Sequence, residues 1–312
     1  MKKLICTLLA LSTLLLSGVA SADVVQVNHE LEGYETEYRL YDRDTYEQPC
    51  DQPGQVVKLK YNTHVYDREY KRYVNVYLPY NYDENGTERY PILYFLHGNG
   101  CDQTTLIGNP YTVNAFDHMI KNGDMPPCII VAPTYFYDVR KNLVDEEKFV
   151  QEMREEIMPL VESTYRTYAE TTDEAGFIAS RHQRAICGFS RGSYMTWSLL
   201  GSMHDYARTF LPFAGAFTKM ESGEINLMDN YDKAVAAENG DLFVYMASGG
   251  PDDLAYEGCV ALAKEFLQKD GVVFGNNFQE DNFFYLASDN PHQDLCSRYY
   301  LYNAFLDGLF RA

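Results

Sequence analysis

From residue 92 onward, short apolar runs alternate with longer amphipathic stretches, and this alternation limits the possible folds more than any other feature of the chain. Residues 92–96, 129–132, 184–188, 242–247 and 283–287 are each of strand length and almost free of charge. A strand that is apolar on both sides must be covered on both sides, the condition of a central strand in a parallel sheet. Between and after these runs, residues 145–165, 193–200, 255–269 and 295–310 read as helices. Upstream, residues 56–61 and 71–78 alternate like half-buried strands, and 79–89, with Asn85-Gly86, reads as a turn region. The pattern predicts an α/β protein, a three-layer sandwich with a mostly parallel central sheet. In such sheets the reactive groups lie beyond the carboxyl ends of the strands.

The start of the chain is read separately. Lys2 and Lys3 precede an apolar run over residues 4–19, and Ala20-Ser21-Ala22 places small residues where a signal peptidase acts. The run is short for a membrane span, a polar acidic chain follows it, and no cysteine stands at the cleavage point. The expectation is a signal peptide over residues 1–22, cleaved after Ala22, and a secreted, extracellular product with no membrane anchor. Residues 23–312 show no repeat or linker and are expected to form a single domain, with 23–55, polar and rich in Tyr and Asp, as an irregular N-terminal arm.

Charge and cysteine use remove several functions. With 26 Lys and Arg against 45 Asp and Glu, the formal charge is −19, and loss of Lys2 and Lys3 takes it to −21. Such a surface repels phosphate backbones and anionic membranes, so no nucleic-acid partner is expected. Six cysteines follow the leader: Cys50, Cys101, Cys128, Cys187, Cys259 and Cys296. An even number is compatible with disulfides after export, yet Cys128 and Cys187 lie in strand-like runs where cysteine acts as a small hydrophobe. No Cys/His spacing, HExxH, EF-hand loop or Walker sequence is present, so no metal and no cofactor are expected. Nothing identifies a protein partner.

The reactive group follows the run 184–188. Gly188-Phe189-Ser190-Arg191-Gly192 matches G-x-S-x-G between an apolar strand and a helix, where glycines permit the sharp turn that lifts a serine hydroxyl above the sheet. A serine so placed needs a base, and the chain order for this geometry is Ser, acid, His. Only His204 and His292 come later. His204 sits at the far end of the helix leaving the turn, whereas His292 lies just beyond the last strand, where a base is needed. His29, His64, His118, His182 and His204 are read as ordinary surface or core residues. The acid is expected after 242–247, in Ser248-Gly-Gly-Pro-Asp-Asp-Leu. Asp252 and Asp253 both qualify; Asp253 is preferred, with Asp289 a third option.

Acyl transfer also needs backbone N–H groups aimed at a developing oxyanion. One is expected from Arg191, the other from the glycine-rich loop His97-Gly98-Asn99-Gly100-Cys101, at Asn99 or Gly100. Tyr135 either flanks a substrate pocket or packs beneath the loop. Tyr299, Tyr300 and Tyr302 are read as core, as is Trp197, the one tryptophan. Because acid and base must be neighbours, a disulfide between Cys259 and Cys296 could brace their loops.

The segments YPILYFLHGNG, MPPCIIVAPTY, RAICGFSRGSYMTW and SGGPDDLAY resemble the feruloyl and acetylxylan esterases, carbohydrate esterases of α/β-hydrolase fold. The resemblance runs from about Val56 to the C-terminus. It implies a serine esterase in which Ser190 is the nucleophile, Asp253 the acid and His292 the base, acting on ferulate or, alternatively, acetate esters of plant cell-wall xylan. The implied partner is an acylated plant polysaccharide or oligosaccharide. Departures are Arg191 and Ser193 where Met and Gly are common, Gly100-Cys101 where paired glycines are common, and Gln293-Asp294 where an aromatic residue often follows the histidine. Arg191 could meet a uronate on the substrate; a salt bridge to a nearby carboxylate is the preferred reading. A non-catalytic carbohydrate-binding module on the same fold is the alternative of another class, and the intact Ser, Asp and His in order argue against it.

Overall fold

The computed structural model describes residues 23–26, 31–66, 69–138, 143–220, 223–237 and 241–311. The expected signal peptide and His29 lie outside these residues. Eight strands form the main sheet: β1 (Gln55–Thr63), β2 (Tyr70–Leu78), β3 (Ile92–Leu96), β4 (Ile129–Ala132), β5 (Arg184–Phe189), β6 (Thr209–Phe213), β7 (Phe243–Gly249) and β8 (Phe283–Ser288). Their order across the sheet is β8-β7-β6-β5-β3-β4-β2-β1. Neighbours from β4 through β8 pair in parallel, and β2 is antiparallel to both β4 and β1. Every residue of β3 to β8 is buried, as the unbroken apolar runs require.

The strand order reverses between β3 and β5. After β3 the chain passes through helix α1 (Pro110–Asn122) to β4 on one side. After β5 it passes through helix α2 (Arg191–Met203) to β6 on the other. Right-handed crossovers in opposite directions place their helices on opposite faces, which yields the three layers. The same reversal opens a crevice at the carboxyl end of the sheet. Register makes this edge level. Leu96 pairs with Gly188, Phe213 with Phe189 and with Ala247, and Gly249 with Ser288. The loops after β3, β5, β6, β7 and β8 therefore leave from one rim.

Three of the differences from expectation have a clear physical reason. Strand β6 has no counterpart in the sequence reading, because Pro212 argues against a central strand. The fold accommodates it on one side only. The ladder to β5 runs from Thr209 to Phe213, while on the β7 side Thr209, Phe210 and Phe213 pair with Phe243, Val244 and Ala247. The helix expected over 145–165 is broken into Glu146–Glu152, a π-helical turn Met153–Ile157 and Met158–Thr164. Pro159 has no N–H to give to the preceding turn, and the wider turn absorbs the defect.

The third correction concerns residues 23–55, which are not an irregular arm. Asp23–Gln26 pairs antiparallel with Glu37–Leu40, and Arg43–Tyr46 forms a short helix capped by Asp42. Tyr38, Tyr41 and Tyr46 are buried. Tyrosine at these positions acts as a core residue with a polar tip, so a segment that reads as polar is apolar where it matters. The strand Glu37–Leu40 packs on β8 and on the closing helix α4 (Cys296–Leu306). There Asn303 accepts from the Arg39 N–H and donates to its carbonyl, at 2.9 and 2.8 Å.

Trp197 lies on α2 and is fully buried, its ring 5.9 Å from that of Phe266 on helix α3 (Tyr256–Phe266). Tyr299, Tyr300 and Tyr302 on α4 are buried, as expected. All six cysteines among the described residues are free thiols. The Cys259–Cys296 bridge that the loop geometry could have allowed is not formed, because the two turn to different partners: Cys296 Sγ donates to the Pro291 carbonyl at 3.3 Å, and Cys259 faces Ser248.

Candidate active site

Ser190 occupies the turn between β5 and α2 with φ 56° and ψ −116°, a backbone conformation costly for any residue with a Cβ. Strain of this kind is worth about 1–3 kcal/mol and persists only where its surroundings fix it. Here the surroundings are visible. The Ser190 N–H donates to the Phe213 carbonyl at 2.9 Å, and its own carbonyl accepts from Ser193 and Tyr194 as α2 begins. A Cβ on Gly188 would strike the Gly192 carbonyl, and one on Gly192 would strike the Leu96 carbonyl. Both glycines of the motif are thus required by close backbone approach.

His292, in the loop after β8, places Nε2 2.7 Å from Ser190 Oγ. Its ring lies against Phe189, centroids 5.0 Å apart. The other ring nitrogen, Nδ1, lies 2.7 Å from Oδ2 of Asp252, not of Asp253. The preference for Asp253 is thereby corrected. Asp252 is 1% exposed, and its second oxygen accepts the N–H groups of Leu254 and Ala255 at 3.0 and 2.9 Å, where the chain turns into α3. That turn points Asp252 inward and leaves Asp253 in solvent. Asp289 is also exposed, and His204 closes α2, its ring against the Leu200 carbonyl.

The loop after β3 faces this turn. Gly100 has φ +72°, the left-handed region that favours glycine. The Arg191 guanidinium donates to the Asn99 side-chain oxygen at 3.1 Å and lies over the Phe136 ring. It is 4% exposed, so it ties the two loops together and is not offered to solvent. The N–H groups of Arg191 and Gly192 open α2, where no residue one turn earlier can accept them and the helix dipole favours negative charge.

Tyr135 does not line the cleft. It is fully buried, stacks on His97 with centroids 4.5 Å apart, and donates to the His97 carbonyl at 2.7 Å. His97, read from the sequence only as the first residue of the glycine-rich loop, holds that loop from within. Its Nδ1 must donate to the Gly98 carbonyl, 2.9 Å away, which leaves Nε2 to accept from the Thr134 hydroxyl at 2.8 Å. Burial pushes its pKa down to about 4, so the neutral ring this pattern needs is the form present near neutrality. The signal was a histidine directly after a wholly apolar strand. A further residue not anticipated is Asp294, which accepts from the Cys101 thiol at 3.2 Å. Its carboxylate would lie 2.9 Å from any Cβ placed on Gly98.

A serine, histidine and buried carboxylate in hydrogen-bonded series, on a strand-to-helix turn at the carboxyl rim of this sheet, define an α/β-hydrolase-type site. The chain belongs to the Esterase family, described as "Putative esterase", whose model matches residues 67–255. It is 32% identical over 265 residues to endo-1,4-beta-xylanase Y of Acetivibrio thermocellus, a match covering 84% of this chain and 24% of that protein. The chain thus spans about a quarter of the length of that xylanase. Among solved structures, the feruloyl esterase module from Clostridium thermocellum, complexed with sinapinate, superposes with a TM-score of 0.73 at 29% identity, over 89% of this chain and 96% of that one. A ferulic acid esterase from the anaerobic fungus Anaeromyces mucronatus, at 23% identity and TM-score 0.62, shares the fold over 86% of this chain and 96% of that one.

Proposed function

We propose that the protein is a secreted serine esterase that removes acyl groups, feruloyl in the first place, from plant cell-wall xylan. The observation that carries this reading is the unbroken series Ser190 Oγ–His292–Asp252, each link 2.7 Å. His292 Nε2 takes the serine proton as Oγ attacks the ester carbonyl, and Asp252 holds the ring in the tautomer this needs and balances the imidazolium. The charge developing on the carbonyl oxygen is met by the N–H of Arg191 and one from Asn99 or Gly100. The tetrahedral intermediate collapses, the sugar hydroxyl leaves with the proton from His292, and water repeats the sequence on the acyl-enzyme. Feruloyl specificity is supported by the module complexed with sinapinate and by the xylanase relative. Secretion is supported by the sequence of residues 1–22 alone.

The test compares methyl ferulate, 4-nitrophenyl acetate and acetylated xylan as substrates for the wild type and for Ser190→Ala. Fast ferulate release, lost in Ser190→Ala with the fold retained, is the expected result. Preference for acetyl esters would reassign the acyl group. Absence of turnover with all three would instead favour a binding module. For secretion, the exported product should begin at Asp23.

A further inference from the structure

The loop carrying the expected oxyanion donors is held from beneath by groups remote from the triad. Its His97 leans on the Thr134 hydroxyl, and Thr134 is fixed in turn. Arg72 on β2 donates to the Thr134 carbonyl oxygen and pairs with Glu152 Oε1 at 3.0 Å. Glu152, fully buried at the end of the helix Glu146–Glu152, also accepts from the hydroxyls of Tyr61 and Tyr66, at 2.7 and 2.9 Å. Arg72 is 9% exposed. A buried ion pair is a poor device for stability, since desolvating two charges offsets most of their attraction and a well-packed apolar pair would serve as well. What an apolar pair cannot do is grip a particular peptide group. The planar guanidinium can engage a carboxylate and a carbonyl together, which an ammonium does poorly.

Resting on the esterase reading above, we propose that Arg72 and Glu152 are positioning residues that fix Thr134, and through it His97, so that the 97–100 loop presents its backbone donors in register with Ser190. The chain of contacts is continuous: Glu152 to Arg72, Arg72 to the Thr134 carbonyl, Thr134 Oγ1 to His97 Nε2, and His97 Nδ1 to the Gly98 carbonyl. It joins the antiparallel side of the sheet and the helix Glu146–Glu152 to the rim of the crevice. Oxyanion contacts act on the transition state and little on bound ester. Loosening this support therefore lowers kcat and leaves KM nearly unchanged.

The experiment measures kcat and KM for methyl ferulate with Arg72→Lys, Arg72→Met, Glu152→Gln, Thr134→Val and Thr134→Ser, alongside thermal unfolding. Thr134→Val keeps the volume and removes the hydroxyl; Thr134→Ser restores it. The expected result is a kcat lowered roughly ten- to hundredfold in Arg72→Met and Thr134→Val, with KM within about threefold and Thr134→Ser close to wild type, the scale of a misplaced catalytic group. Folded Thr134→Val and Arg72→Lys with wild-type kcat, or losses that follow only the unfolding temperature, would overturn the inference while leaving the esterase reading intact. A wild type inert toward every ester overturns both.

Discussion

Asp252 divides its two carboxylate oxygens between His292 and the backbone that leads into the next helix. Oδ2 meets His292 Nδ1 at 2.7 Å, and Oδ1 accepts the N–H groups of Leu254 and Ala255. An amide in its place can keep one task but presents an N–H to the other. Asp252→Asn should lower kcat by about 10⁴-fold, the scale for a base held in the wrong tautomer. Asp253→Asn, altering an exposed residue, should stay within about twofold. Steady-state kinetics on both variants checks this, and the reverse ranking would return the acid to Asp253.

The backbone of Ser190 makes a second prediction. At φ 56° a glycine is relaxed where serine and alanine are strained. Ser190→Gly and Ser190→Ala should both be inactive, yet the glycine variant should be the more stable by about 1 kcal/mol, after its extra unfolded-state entropy is counted. Urea unfolding of the pair isolates the backbone term from loss of the hydroxyl. Equal stabilities would mean the turn is unstrained.

His97 couples the fold to acid. Its folded pKa, near 4, lies below the ordinary value of 6.5 because burial disfavours the charged ring. The unfolded chain therefore binds a proton first as pH falls. The contribution is intact above pH 6.5 and is lost progressively down to pH 4, about 3 kcal/mol in all. Buried carboxyls such as Glu152 and Asp307, whose pKa values burial raises, act in the opposite direction over part of this range. The clean measurement is thus the difference between wild type and His97→Gln in unfolding free energy at pH 7 and pH 4.5. The wild type should lose more, and equal losses would place the titration elsewhere.

Free thiols predict indifference to reductant. Alkylation of the denatured chain without prior reduction should label all six cysteines from Cys50 to Cys296, and the melting temperature should be the same with and without dithiothreitol. Two fewer labels would reveal a disulfide.

The parts of the site legible in the sequence are those set by neighbouring residues. The turn at Ser190 follows from two glycines between an apolar strand and a helix, and His292 from its place after the last strand. Asp252 and Asp253 could not be separated by such rules, since both lie in one loop. What separates them is which one takes the Leu254 and Ala255 N–H groups as α3 begins. Most of the 27 tyrosines are packed in the core. Their hydroxyls find partners far along the chain: Tyr38 with Asn290, Tyr77 with Asp117, Tyr94 with Glu162, Tyr245 with Asp307. Local patterns carry no trace of pairings that exist only once the sheet has formed. The same holds for His97, whose role depends on Thr134 arriving from the end of another strand.

Trp197 gives the molecule an optical property. It is the one indole in the chain, seven residues beyond Ser190 on the helix that follows it, with no exposure to water and a phenyl ring for company. Its fluorescence, fed by energy transfer from the surrounding tyrosines, should be blue-shifted when this helix is docked and red-shifted when it is not. Intrinsic emission thus becomes a dye-free gauge of whether the helix after Ser190 is in place.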